Sequence, residues 1–295
     1  MQPWTPGEVI RPETGVRMVL AANPSPMTHW GTNTYIVGEG AVAVIDPGPA
    51  LPAHLAAILA ALAPGERISH ILVTHPHLDH SPLARPLAEA TGAPVLGFGP
   101  AGSGISSRMA GIEGLGGGEG IDTSFTPDVR LADGDVIEGP GWHLKALHTP
   151  GHMAGHMAFA LGDLLFTGDH VMGWAPSLVS PPEGDMTDYM ASLDRLAGHR
   201  WRRFLSAHGL PMDDPATRLA ELTTHRRTRE AAILAALTHG PADLGTLTAR
   251  VYTDVAPALL PAARRNLLAH LIDLFHGKKI AAQGAPLPSA RFSLP

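Results

Sequence analysis

The chain is 295 residues long, 44% hydrophobic and 16% charged, with a formal net charge of -6, so it can bury a large core over one large and one small domain and is not a disordered segment. The absence of cysteine excludes disulfides, thiolate metal ligands and a cysteine nucleophile. No apolar run is long enough to span a bilayer and no leader pattern is visible over residues 1–16, so the expected location is cytoplasmic with no membrane partner.

In chain order, residues 34–38 and 41–45 are β-rich runs separated by Glu39-Gly40 and read as a hairpin, stopped by Asp46-Pro47-Gly48-Pro49. Residues 51–63 have helical spacing and end at Pro64-Gly65. A buried-strand pattern over 68–74 runs into a His-rich segment; 81–91 reads as a helix closed by Gly92, and 93–97 as a short strand. Residues 101–120 are rich in Gly and Ser and read as a mobile surface loop, a lid beside a site. Strands are expected at 129–131, 136–138, 143–147, 157–160, 164–166 and 201–207, with a helix over 185–196. The order is mixed, without a βαβ repeat, and suits two sheets packed face to face with helices outside.

The pattern changes at residue 215. Residues 216–237, 242–251 and 261–275 read as helices, and 277–281 with 290–292 as a terminal hairpin: three helices and a two-stranded wing. Charge changes with it. Residues 1–214 carry 11 Lys+Arg against 22 Asp+Glu, whereas 215–295 carry 10 against 5. The basic tail either complements its own acidic neighbour or faces an anionic partner. Arg226, Arg227 and Arg229 read as a solvated helix face, and Arg264, Arg265, Lys278 and Lys279 mark where a winged helix would touch nucleic acid.

The most informative segment is Thr74-His75-Pro76-His77-Leu78-Asp79-His80. Three imidazoles and a carboxylate within six positions form a nitrogen and oxygen donor set for zinc, manganese or iron. His75 and His77, two apart on extended chain, can point the same way, and Asp79 and His80 are expected in the first turn of the following helix. Further polar residues follow later strands beside glycine: His148 and His152 in His148-Thr-Pro-Gly-His152, Asp169 in Thr167-Gly-Asp169, and His208 in Ala207-His208-Gly209.

These motifs together resemble the metallo-β-lactamase superfamily of metal-dependent hydrolases over nearly all of residues 15–214. The resemblance implies an α/β fold, an αββα sandwich over residues 1–214, followed by a small winged-helix domain over 215–295. Carried over motif by motif, it implies that His75, His77 and His152 hold one metal, Asp79, His80 and His208 a second, and that Asp169 bridges them. Two Zn2+ are expected, with Mn2+ or Fe2+ as alternatives, and Asp79 as the catalytic group acting on a water the ions activate. Histidine at position 77 favours hydrolysis, since oxygen-reducing diiron relatives commonly place a carboxylate there. The tail, His225-Arg-Arg-Thr-Arg-Glu230 onward, resembles the β-lactamase-like 2 group, which includes single-strand-specific endoribonucleases; fungal relatives act as thioesterases. The leading expectation is a hydrolase of a small-molecule ester or thioester. RNA is the alternative substrate, a nucleic-acid-binding regulator the second alternative, and a homodimer is left open.

Secondary readings concern single residues. His170 reads equally as a substrate contact and as a bystander, His148 as a strand-end residue packed on Pro150, and His156 as structural. Asn33 is a weaker candidate for the cleft. Trp30, Trp174, Met153, Met157 and Met172 read as packing residues.

Overall fold

A computed structural model of the chain describes residues 3–112 and 120–295. Strands β1 (Val9–Glu13), β2 (Val16–Leu20), β3 (Asn33–Val37), β4 (Ala41–Ile45), β5 (Arg67–Leu72), β6 (Val95–Gly97) and β7 (Val129–Arg130) form one sheet in chain order. It is antiparallel as far as β4 and parallel from there. A second sheet has the order β12-β11-β10-β9-β8. Its strands are β8 (Val136–Gly139), β9 (Trp142–His148), β10 (Met157–Leu161), β11 (Leu164–Gly168) and β12 (Arg203–Ser206), antiparallel except that β12 runs parallel to β11.

Period-2 alternation builds the sandwich. In β4, Ala43 and Ile45 face the second sheet, whereas Val42 and Val44 face helices α1 (Pro52–Ala60) and α2 (Ala84–Thr91). In β10 and β11, Met157, Phe159, Leu164 and Phe166 fill the space between the sheets. On the outer side, Ala158, Ala160 and Leu165 lie under α3 (Met186–Ala197). Both faces of both sheets are therefore covered, as the expected αββα layering requires. The hairpin β3–β4 and the later strands fall where the alternation places them. β1 and β2, which the sequence pattern did not show, extend the first sheet.

The C-terminal part contains α4 (Pro215–Leu237), α5 (Leu244–Val251) and α6 (Leu260–His276), with a sheet of order β13-β15-β14. Its strands are β13 (Ala242–Asp243), β14 (Ala281–Ala282) and β15 (Arg291–Ser293). The helix expected over 242–251 therefore starts two residues late. Ala242 and Asp243 pair with β15, and the Asp243 side chain accepts from Thr246 N–H to begin α5. The wing has three strands rather than two.

Two features tie the parts together. α4 begins at Asp214, which caps it, but Leu219 and Leu222 pack with Tyr189, Leu193 and Phe204 of the sandwich, while Ile233, Ala236 and Leu237 belong to the C-terminal core. The segment expected to be a mobile loop is anchored over its described part. Met109 and Ile112 are buried among Leu267, Leu271 and Phe292 of the C-terminal core. Ser106 Oγ and Arg108 Nε donate to Asp185 Oδ2 at 2.6 and 2.9 Å, and Arg108 also pairs with Asp188. Residues 106–112 are therefore held by two apolar anchors and two carboxylate partners. Residues 113–119 of that segment lie outside the described residues.

Candidate metal centre

All seven candidate ligands lie just beyond strand C-termini: His75, His77, Asp79 and His80 after β5, His152 after β9, Asp169 after β11 and His208 after β12. Asp79 and His80 are not in a helix. Residues 77–80 form a turn in which His80 N–H and Ser81 N–H both bond to His77 O at 3.0 Å, and α2 starts only at Ala84. Pro82 accounts for this, because the residue before a proline is driven out of the helical region.

The ligand atoms gather in two groups, His75, His77, His152 and Asp169 in one and Asp79, His80, Asp169 and His208 in the other, each within 4.8 Å of one another. Asp169 is common to both. In the first group His77 Nδ1 lies 2.9 Å from His75 Nε2 and 3.3 Å from His152 Nε2. In the second, His208 Nε2 lies 3.2 Å from Asp79 Oδ2 and 3.3 Å from Asp169 Oδ1. His80 Nε2 lies 3.4 Å from Asp79 Oδ2 and 3.6 Å from Asp169 Oδ2.

The hydrogen bonds behind the cluster fix which nitrogens face inward. His152 Nδ1 donates to Leu178 O at 2.6 Å, His208 Nδ1 to Gly31 O at 3.0 Å and His80 Nδ1 to Asp46 Oδ2 at 2.9 Å. Each partner only accepts, so each Nδ1 carries a proton and each Nε2 is the atom turned inward, able to ligate a cation once it holds no proton. Thr74 Oγ1 gives its single proton to Asp46 Oδ2 at 2.7 Å and so accepts from His75 Nδ1 at 3.0 Å, leaving His75 Nε2 unprotonated in the neutral ring. His80 Nε2, His208 Nε2 and Asp169 Oδ1 are buried without a hydrogen-bond partner. Buried ligand atoms converging on shared points, with orphaned atoms among them, fit divalent cations.

Electrostatics agree. Burial alone would raise the Asp79 and Asp169 carboxyls, but the His80 and His208 imidazoles hold both well below the usual carboxylate range. Burial would lower His208, yet Asp169 and Asp79 push it up to about 10, and His80 is likewise held well above its ordinary value. The second group therefore demands positive charge, supplied by protons when no cation is present. In the first group burial, reinforced by neighbouring imidazoles, pushes His77 down to about 3 and His75 well below 6.5, so these rings are neutral and ready to ligate.

Asp46 does more than end a strand. Buried and held at φ +50, it accepts from Thr74 N at 2.8 Å and Thr74 Oγ1 at 2.7 Å as well as from His80. A buried non-glycine residue held in left-handed backbone just after a strand marks it in the structure. Ser177 Oγ donates to Asp169 O at 2.5 Å and His170 O at 2.9 Å, which fixes the β11 turn.

The secondary candidates divide. Asn33 does not line the cleft; it is fully buried and donates to Ser206 O and Gly209 O at 3.1 and 3.0 Å, holding the backbone on either side of His208. His170 is buried against Tyr189 and His156, away from the cleft wall, and burial pushes it down to about 3. His156 bonds Thr149 Oγ1 at 2.8 Å, a structural role. His148 stacks on Phe98 and bonds Ala154 O at 2.8 Å, a structural role at the strand end. Trp30 packs against Trp4 and His29. Met153 and Met157 are buried, while Met172 lines the cleft. Arg226 is not on a solvated face: it is 3% exposed, bonds Ser177 O and Asn266 Oδ1, and lies 4.9 Å from the Tyr189 ring centre.

The cleft over the metal centre has a volume of about 640 Å³. His77, Asp79, His152 and Asp169 open into it, with Met27, Leu78, Met172, Leu178 and Leu259 on its walls; Arg265 is its only Lys or Arg among the described residues.

The family model of the metallo-beta-lactamase superfamily matches residues 27–208, and that of the beta-lactamase associated winged helix domain matches residues 244–285. Lactamase-like protein adaB of Aspergillus niger is 34% identical over 75% of this chain and 63% of its own length. The atrochrysone carboxyl ACP thioesterase dmxR1 of Cryptosporiopsis sp. is 31% identical over 74% of this chain and 62% of its own. The chain thus spans a little under two thirds of these fungal relatives. The beta-lactamase-like protein 2 homolog of Drosophila melanogaster is 28% identical over 90% of this chain and 89% of its own. Among solved structures, a metallo-beta-lactamase family protein from Thermus thermophilus is 25% identical, covers 96% of this chain and 99% of its own, and superposes with a TM-score of 0.76. A beta-lactamase domain protein from Burkholderia ambifaria shares the fold with a TM-score of 0.82 at 21% identity, over 99% of this chain and 96% of its own.

Proposed function

Because the chain belongs to the metallo-beta-lactamase superfamily and carries the winged-helix domain associated with it, we propose that it is a dinuclear metal-dependent hydrolase, with zinc as the expected ion, acting on an ester or thioester. His75, His77 and His152 would hold one ion, Asp79, His80 and His208 the other, with Asp169 shared. When bound, such ions supply a hydroxide nucleophile near neutral pH and polarise the oxygen of the scissile group.

The protein's own groups account for the rest. Asp79 is the carboxylate more open to the cleft, its side chain 25% exposed against 10% for Asp169. Held ionised by His80 and His208, it can accept a hydrogen bond from the attacking water and orient it. Leu78, Met172 and Leu178 displace solvent from the approach to Asp79 and strengthen its interactions. Beyond the ligands, no side chain of acidic character lines the described cleft. This observation carries the choice of substrate and favours the thioester over the ester, since a thiolate leaves without a proton donor whereas an alkoxide, a ribose oxygen or an amine needs one.

Among the described residues the cleft presents a single arginine, Arg265, to an anionic substrate, although Arg264 and Lys278 are exposed elsewhere on the C-terminal domain. In the C-terminal domain Arg229 is engaged with Val251 O and Asp254, Arg250 with Ala236 O, and Lys279 with Glu230. The test compares acyl thioesters with single-stranded RNA on protein of measured metal content. Thioester cleavage that is lost on chelation and insensitive to salt is expected. RNA cleavage that falls steeply with salt, with no thioester turnover, would replace this reading.

A further inference from the structure

A second hollow, about 230 Å³, opens between the two domains beside the metal cleft. Met172, Trp174 and Leu178 of the sandwich and Tyr252, Val255 and Leu259 of the C-terminal domain line it. Met27, Met172, Leu178 and Leu259 are walls of both spaces, so the hollow continues the cleft that contains His77, Asp79, His152 and Asp169. Met27 and Leu259 are 45% and 37% exposed at that shared wall, apolar surface left uncovered where the two spaces meet. The charges at its floor are already engaged. Arg229 bonds Val251 O and lies over the Tyr252 ring, Arg226 bonds Ser177 O and Asn266, and burial, then the nearby arginines, push His225 down to about 4 so that it is neutral at pH 7.

We propose that this hollow is the acyl subsite: it takes an uncharged apolar acyl or aryl group while the scissile carbonyl lies at the metal centre, so that the winged-helix domain sets chain-length specificity. The proposal rests on the ester and thioester reading above. An apolar cavity of about 150 Å³ accepts benzene, so this one has room for roughly an eight-carbon chain or a bicyclic ring.

The test has two arms on the metal-loaded full chain. The first compares kcat/KM for acetyl, butanoyl and octanoyl thioesters of one thiol, in the wild type and in Val255→Trp, which fills the hollow from a position that does not line the metal cleft. The octanoyl to acetyl ratio should be at least tenfold above one in the wild type and drop about tenfold in the variant. The second measures octan-1-ol binding by calorimetry, which needs no turnover; saturable binding, lost in Val255→Trp, is expected. Octan-1-ol binding without any thioester turnover would keep the subsite and reject the function. Chain-length-independent rates, or no octan-1-ol binding to the wild type, would overturn the subsite.

A different set of contacts carries a second inference. Residues 177–179 present alternate peptide groups to opposite sides. Leu178 O accepts from His152 Nδ1, while Ser177 O accepts from Arg226 and Val179 N–H donates to Asn266 Oδ1 at 3.0 Å. Asn266 Oδ1 also accepts from Arg226 Nη1 at 3.3 Å. The C-terminal domain thus grips this tripeptide from behind while its other side holds His152 and, through Ser177 Oγ, Asp169. We infer that Arg226 and Asn266 are positioning residues for the first metal site. Co2+ titration of the full chain, read by its visible absorption and by chelator competition, tests this. Asn266→Leu should weaken Co2+ binding about tenfold and alter the band, whereas Asn266→Asp, which keeps the accepting oxygen, should stay within a few-fold of the wild type. Arg226→Gln gives a second reading should Asn266→Leu fail to fold. Wild-type Co2+ affinity in Asn266→Leu or Arg226→Gln, or an equal loss in Asn266→Asp, would overturn it.

Discussion

Single side chains at the candidate metal centre divide into those that turn a ligand atom into the cluster and those that orient the ligands. Asp79 is of the first kind, and Asp79→Asn is expected to cut turnover about a hundredfold or more while moving the melting temperature by only a few degrees; an unchanged kcat would remove Asp79 from the chemistry. Asp46 is of the second kind. Its carboxylate accepts from three donors, Thr74 N, Thr74 Oγ1 and His80 Nδ1. An amide has one accepting oxygen and would turn N–H groups toward donors. Asp46→Asn is therefore expected to weaken metal binding some 10- to 100-fold, measured by chelator competition, with the fold intact. The difference between these residues also decided what the sequence revealed. His75, His77, Asp79 and His80 were legible because three imidazoles and a carboxylate fall within six positions, and His152, Asp169 and His208 because each is a polar residue beside glycine just after a strand. Asp46 and the Leu178 carbonyl were not, because their partners lie 34 and 26 residues away and backbone acceptors leave no trace in composition.

At the scale of elements, alternation was legible wherever a strand has helices on one face and the second sheet on the other, as in β4 and β10. β2 is buried along its whole length and β1 contains Pro12 and charged residues, so neither shows a clean period. The helix expected over 81–91 starts only at Ala84 for a local reason, Pro82, and the turn before it keeps Asp79 and His80 in the site. The β9–β10 connection is as tightly specified. Gly151 sits at φ +139, and a Cβ there would lie 2.3 Å from Tyr189 Cα in α3. Gly151→Ala is expected to cost about 3 kcal/mol or more and to release His152, seen as a fall of several degrees in melting temperature together with lost metal. A variant as stable as the wild type would show that α3 can shift to make room.

For the molecule as a whole, stability should fall on acidification in a way that one buried residue of the C-terminal core reports. His270 in α6 is pushed down to about 3 by burial and then by Arg226, His225 and Arg229. The unfolded chain takes up a proton there below pH 6.5 and the folded chain does not, so this stability is complete above that pH and is lost as pH falls toward 3. At pH 5 the loss amounts to about 2 kcal/mol. His270→Leu is expected to narrow the drop in melting temperature between pH 7.5 and 5 by roughly 4 °C; identical drops would show that His270 is protonated in the folded state. The boundary read near residue 214 marks a change of composition and charge, but not a break in packing, because α4 serves both cores and the segment 105–112 crosses between them. That last feature bears on how the protein is made. A ribosome completes the sandwich before it has synthesised Leu267, Leu271 and Phe292, which receive Met109 and Ile112. Until then the nascent polypeptide leaves these two apolar side chains uncovered, an aggregation-prone interval that ends only when α6 and β15 emerge.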